Sequence, residues 1–151
     1  MNKTIYLSKK HKLRFTTCTH NHIWVYLTLP MIDITGNIIY TADGVELRKN
    51  FIFDTGAENT ILSKKRSNDL GYKNCEIKER TRAAIGGNII WCSKIGIPDI
   101  VITNDIVIHK PIVLVPDDYA CNINILGQDI LQSFNYYMDN RLHNIYFDKE
   151  K

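Results

Sequence analysis

Residues 51–60 read Phe51-Ile52-Phe53-Asp54-Thr55-Gly56-Ala57-Glu58-Asn59-Thr60. Three successive apolar residues describe a strand end buried on both faces. They deliver an aspartate, then a hydroxyl residue, then a glycine. That order makes a tight, hydrogen-bonded turn with a carboxylate on it. The chain carries one such segment. A reaction that needs two carboxylates on turns of this kind therefore needs a second chain to supply the other.

Outward from this segment the pattern is mostly β. Upstream, His22 to Leu29 alternates, with Ile23, Val25, Leu27 and Leu29 on one face, and Pro30 ends the run. Asp33 to Gly36 reads as a turn, Asn37 to Tyr40 as a short strand and Asp43-Gly44 as a hairpin turn before the strand Leu47 to Phe53. Downstream, Thr60 to Leu62 reads as a short strand, and Ser63 caps a short helix that Gly71 stops. Cys75 to Ala84 and Asn88 to Ile95 flank Ile85-Gly86-Gly87, a projecting hairpin with a glycine tip. Asp99 to Ile102 and Ile106 to Val115 are β-branched runs. Ile123 to Leu126 is a strand ending at Gly127, Gln128 to Phe134 has helical spacing, and Asn135 to Met138 with Ile145 to Phe147 makes a last hairpin. Phe51 to Gly56 and Ile123 to Gly127 read as one half-motif used twice.

Composition narrows the function classes. At 151 residues, 44% hydrophobic and 23% charged, the chain fits a single domain, 1–151, with its motif-bearing core at about 22–147. No apolar run reaches the length of a membrane span, and the N-terminus is too short and polar for a signal peptide. The expected location is cytoplasmic, or release from a larger precursor. The net charge of +3 is scattered, with small clusters at Lys9-Lys10 and Lys64-Lys65-Arg66 that read as solvated faces. No zinc knuckle, helix-turn-helix signature or basic stripe points to nucleic acid. Cys18, Cys75, Cys92 and Cys121 show no C-x-x-C spacing and read as reduced thiols. His20-x-His22 lacks a third ligand, so neither a metal nor another cofactor is expected.

Three segments in order give the chain a specific resemblance. Asp54-Thr55-Gly56-Ala57-Glu58-Asn59-Thr60 resembles the catalytic turn of the retroviral-type, retropepsin-like aspartic proteases. Ala84-Ile85-Gly86-Gly87, about thirty residues on, resembles their flap tip. Asn124-Ile125-Leu126-Gly127-Gln128-Asp129-Ile130-Leu131 resembles their glycine strand and following helix. The extra length and the last hairpin look more like cellular or bacterial members than compact viral enzymes. The resemblance implies an all-β acid-protease fold closed into a barrel-like form, with a flap hairpin and one short C-terminal helix. It also implies a homodimer in which each chain contributes one catalytic turn and a peptide lies extended between turns and flaps.

The chemistry at Asp54 can be argued without the resemblance. Peptide hydrolysis needs a base to deprotonate water and an acid to protonate the leaving group. Two carboxyls held together share one proton, so one is acid and the other base at the same pH. Two-fold symmetry supplies both from one Asp54 per chain. Gly56 lets the backbone approach the carboxylate, and Ala57 leaves room for a peptide. The resemblance implies that Thr55 braces the two turns across the dimer and that Gly56 and Ala57 line the substrate channel. Glu58 is expected to cap substrate backbone and Asn59 to hold the turn. Ala84, Ile85, Gly86 and Gly87 are expected to form a mobile lid, with Ile85 covering the peptide. Leu126 and Gly127 are expected to pack near Asp54. One departure is visible: viral relatives have arginine where this chain has Gln128, so an ion pair to Glu58 is absent and a weaker Gln128 hydrogen bond is the expected substitute. The expected function is an aspartic endopeptidase cleaving extended peptides between mostly apolar side chains. The alternative is a non-catalytic peptide-binding or dimerisation module of the same fold.

Overall fold

The computed structural model describes residues 12–17, 22–103 and 105–148. Lys9, Lys10, His11, Cys18 and His20 lie outside the described residues, so neither the first basic cluster nor the His20-x-His22 pair is placed. Strand Ile23–Thr28 forms where the sequence alternates. Val25 and Leu27, with Leu29 just beyond, are fully buried, while Tyr26 faces solvent. This strand runs antiparallel to Arg48–Phe53, from Trp24↔Ile52 to Thr28↔Arg48. It also pairs with Lys12–Thr17 and, through Thr28↔Val101, with Ile100–Thr103. The whole is an eight-stranded sheet. Its main path is Ile106–Ile108, Ile100–Thr103, Ile23–Thr28, Lys12–Thr17, Asn144–Asp148 and Asn135–Asp139, with Arg48–Phe53 and Ile125–Leu126 branching from it.

The fold is all-β with short helices, but the expected barrel closure is not there. Closure requires the two outer strands to share a ladder. Here Ile106–Ile108 and Asn135–Asp139 end the path and do not pair with each other. The run Ile106 to Val115, read as one strand, is in fact split. Lys110 adopts a left-handed φ of 42°, and Pro111 has no N–H to give a ladder. The Asp99 carboxylate fixes this corner, accepting from Lys110 N at 2.7 Å and lying 3.1 Å from His109 Nδ1, and these contacts hold its pKa down. Past the corner, Ile112–Pro116 leaves the first sheet and pairs with Asn88–Gly96. It completes a separate three-stranded sheet with Ile77–Ile85. Among the described residues two open multi-stranded sheets result, beside the two-stranded pairs Met31–Ile32 with Ile38–Ile39 and Thr41–Ala42 with Val45–Glu46, and isolated bridges run from Ile61 to Leu114 and to Ile125.

The segment that decides the fold is held from both ends. Phe51, Ile52 and Phe53 are all buried, each side chain contributing roughly 1.5–3 kcal/mol. Phe53 meets Tyr136 edge-on at 5.3 Å, and Phe134 and Tyr136 both lie against Phe147 of the last hairpin. Helix Lys64–Asp69 follows the Asp54 turn. Ser63 Oγ caps it by accepting from Arg66 N at 3.2 Å. The two sequence half-motifs lie side by side: Ile125–Leu126 runs parallel to the end of Arg48–Phe53, pairing Ile125 with Ile52 and Leu126 with Phe53. Among the described residues, no helix is long and apolar enough to cross a membrane.

Candidate active site

Asp54 sits where the strand Arg48–Phe53 ends, half-buried. Its N–H donates to Leu126 O at 3.1 Å, so the parallel strand continues its ladder one residue past Phe53. Its carboxylate Oδ1 accepts from Gly56 N at 2.9 Å, and its carbonyl accepts from Ala57 N at 3.3 Å. The side chain is thus aimed by its own turn. A Cβ on Gly56 would stand 3.3 Å from Asp54 Oδ1, close to the atom the turn presents.

The far side of the turn is stitched to the strand and helix 70 residues on. Gln128 N donates to Ala57 O at 2.8 Å and Asp129 N to Glu58 O at 3.1 Å. Gly127 is buried against the turn, and a Cβ there would lie 2.5 Å from Asn59 O, so only glycine allows this approach. Behind it Thr60 is fully buried. Thr60 N and Oγ1 both donate to the Asp129 carboxylate, at 3.0 and 2.7 Å, and Thr60 Oγ1 accepts from Gly127 N at 3.1 Å. Asn124 adds a second tie: Oδ1 accepts from Ser63 N at 2.9 Å and Nδ2 donates to Asn50 O at 3.2 Å.

These contacts refine the reading of Gln128. Its side-chain amide donates to Thr55 O at 2.9 Å rather than to the Glu58 carboxylate. Position 128 therefore braces the front of the turn, and the next residue, Asp129, braces its back. Thr60, Asn124 and Asp129 were not singled out from the sequence as site residues. An acidic residue in the first turn of a helix is an ordinary terminal charge. Its partner Thr60 stands 69 positions away, and no local pattern connects the two.

The opposite wall is the hairpin of Ile77–Ile85 and Asn88–Gly96. Gly86 and Gly87 form its two-residue tip with φ of 58° and 82°, the left-handed pair that a tight hairpin turn of this type requires. Ile85 is 5% exposed. It belongs to a small apolar cluster with Ile61, Cys92, Leu114 and Cys121, so its side chain is already engaged within its own chain. Burial pushes the Cys92 and Cys121 thiols up, which leaves them packing groups at neutral pH. Ala83 packs on the same cluster, whereas Ala84 is exposed. At the hairpin's base Arg80 makes a fork to Asp117, at 2.7 and 2.6 Å, and donates to Ser93 Oγ at 2.8 Å.

Turn and hairpin enclose a cavity of about 490 Å³. Asp54, Gly56, Ala57, Glu58 and Asn59 line it from one side and Ala84, Ile85 and Gly86 from the other. Of the residues singled out from the sequence, Thr55, Gly87, Leu126, Gly127 and Gln128 do not line it. Arg82, Ala83, Ile61, Leu114, Ile123 and Ile125 line it as well. Thr55 is exposed, and its hydroxyl makes no hydrogen bond among the described residues. The arrangement offers one carboxylate, backbone groups on both walls and a partly apolar floor.

A family model described as Aspartyl protease matches residues 38–130, which span both walls of the cavity. No curated protein matches the sequence. Two solved structures resemble the chain in fold. One is a retropepsin-like aspartic protease from Rickettsia conorii, with TM-score 0.59 and 16% identity over 90% of this chain and 89% of that one. The other is the retroviral protease-like domain of Ddi1 from Leishmania major, with TM-score 0.52 and 16% identity over 86% of this chain and 97% of that one.

Proposed function

The chain belongs to the aspartyl protease family, and from that premise we propose that Asp54 is its catalytic carboxylate, acting with its symmetry mate in a homodimer. The whole chain is read as one protease domain. The observation that carries the reading is the placement of Asp54: fixed by Gly56 N, at the end of a buried strand, and facing a cavity roofed by a glycine-tipped hairpin. One chain brings one such carboxylate to the cavity. A two-fold axis beside the turn brings the second, and the exposed Thr55 hydroxyl is free to bond across it.

The proposed chemistry follows from that pair. The two carboxyls hold one proton between them. The unprotonated one takes a proton from a water molecule as that water attacks the peptide carbonyl. The protonated one donates to the carbonyl oxygen, giving a neutral tetrahedral diol. Collapse of the diol breaks the C–N bond, and a proton passes to the departing amine. No covalent bond to the protein forms. The substrate lies extended, Gly56 and Ala57 beneath it, Glu58 and Asn59 beside it and Ala84 to Gly87 above it. Ile85 must lift out of its cluster to admit the chain, so the hairpin is a lid that opens before catalysis.

The test compares wild type with Asp54→Asn on a diverse peptide library from about pH 4 to 7, with sedimentation in the same buffers. Wild type should cut and sediment as a dimer. Asp54→Asn should fold and dimerise but lose cleavage by about three orders of magnitude or more. Equal cleavage by both proteins would remove Asp54 from the mechanism. A stable wild-type dimer that binds peptides and cuts none would make the domain a peptide-binding module.

A further inference from the structure

A second hollow, of about 570 Å³, adjoins the active-site cavity, and Asn59 and Leu114 line both. Its floor is apolar and includes Ile112, which is 48% exposed although it lies in the strand Ile112–Pro116. Its rim carries three lysines, Lys78, Lys94 and Lys110. Two carboxylates belong to the same lining, and they differ. Asp129 is committed to Thr60 behind the catalytic turn. Glu79 is a surface group paired with Lys94 at 3.4 Å. Lys78 reaches Glu76 at 2.8 Å along its own strand. Lys110 forms no ion pair among the described residues, its left-handed backbone being fixed by Asp99. Exposed pairs of this kind contribute little and exchange partners readily. The rim can therefore take carboxylates from outside at small cost.

We infer that this hollow is an exosite for an acidic segment flanking the cleaved bond. The inference rests on the protease reading of the neighbouring cavity. Because Asn59 and Leu114 belong to both linings, an extended chain leaving the cavity past them carries residues flanking the scissile bond to the lysine rim. A two-fold dimer presents two such hollows, one for each end of the peptide. The preferred substrates carry Asp or Glu in a flank, next to an apolar side chain that covers Ile112. Among the described residues the hollow's lining includes no aromatic side chain on which a base could stack, so a peptide fits it better than a nucleic acid.

Matched peptides sharing one cleaved core and differing only in acidic, neutral or basic flanks test this directly. They are to be cut by wild type, by the double variant Lys78→Gln/Lys110→Gln and its two single variants, and by Lys73→Gln as a control that removes one lysine outside the hollow. Wild type should favour acidic over neutral flanks by about 3- to 10-fold in kcat/KM, mostly through KM, with the advantage shrinking at about 1 M salt. The double variant should lose that advantage and cut the neutral peptide as wild type does, while Lys73→Gln keeps it. Equal cutting of acidic and neutral peptides by wild type, or an undiminished preference in the double variant, overturns the exosite and leaves the protease reading standing. A wild-type dimer that cuts none of the peptides overturns both.

Discussion

The Asp54 turn and the glycine-tipped hairpin line the same cavity and are held differently. Residues 54–60 are tied to residues 126–129 by backbone and side-chain bonds on both sides of the turn, several of them to buried atoms. The hairpin's outer strand, Ile77–Ile85, pairs on one edge only, and most of its side chains are exposed. The side-chain clamp on this strand, Arg80 to Asp117, is itself solvent-exposed. Bonds to buried groups are costly to break because the freed partner stays unsatisfied. Exposed ion pairs exchange readily with water. The platform that fixes the carboxylate and the hairpin proposed as a lid therefore use different interactions, although both have glycines at their turning points.

Substitutions on the two sides should separate this contrast. Gly127→Ala places a Cβ 2.5 Å from Asn59 O, and no flexible side chain can relieve the clash. The expected loss is about 3 kcal/mol in urea unfolding, together with lost activity. Thr60→Val keeps the shape but removes the hydroxyl donor to Asp129 Oδ1 and leaves the Gly127 N–H without its acceptor, and should cost about 1–3 kcal/mol by the same measurement. Gly87→Ala is the informative counterpart to Gly127→Ala. Its φ of 82° disfavours a side chain, yet nothing lies within 4 Å, so about 1 kcal/mol is expected, with slower lid motion seen in pre-steady-state kinetics. Equal costs at positions 87 and 127 would break the distinction between platform and lid.

The smallest effect on global stability is expected at the clamp. Arg80→Ala should leave the unfolding midpoint nearly unchanged while amide exchange quickens in residues 77–96 relative to residues 51–62. Acid should reproduce this in wild type. The Arg80 hydrogen bonds hold the Asp117 carboxyl below the usual range. A depressed folded-state value means the clamp contributes fully above the ordinary aspartate value, near 3.9, and is lost as pH falls through the lower one. Hairpin protection that stayed constant across that window would show that Arg80–Asp117 does not hold the lid.

Much of the platform was legible in sequence because it is local. Phe51-Ile52-Phe53 announces a buried strand end, and Asp54-Thr55-Gly56 announces the turn after it. The Gly86-Gly87 tip was equally readable, since a two-residue hairpin turn with both φ positive has few alternatives to glycine. The run Ile106 to Val115 was misread for a physical reason. Its β-branched residues favour strand throughout, and the corner at Lys110–Pro111 is stabilised by Asp99, which lies eleven residues earlier. That corner sends Ile112–Pro116 to the second sheet and leaves the first sheet open. Ile85 reads from sequence as a residue that covers a bound peptide, and only the tertiary structure shows it packed on Ile61 and Leu114 of its own chain.

By itself the sequence determined the chemistry-bearing turn, the glycine-tipped hairpin opposite it and the family to which both belong, because each is written in a few adjacent residues. Tertiary structure alone decided how the turn is braced, through Thr60 and Asp129 and through Gln128 on Thr55. It also decided that the sheets stay open and that a lysine-rimmed hollow adjoins the cleft. Those outcomes depend on groups tens of residues apart meeting at hydrogen-bond or van der Waals distance, which no local pattern encodes.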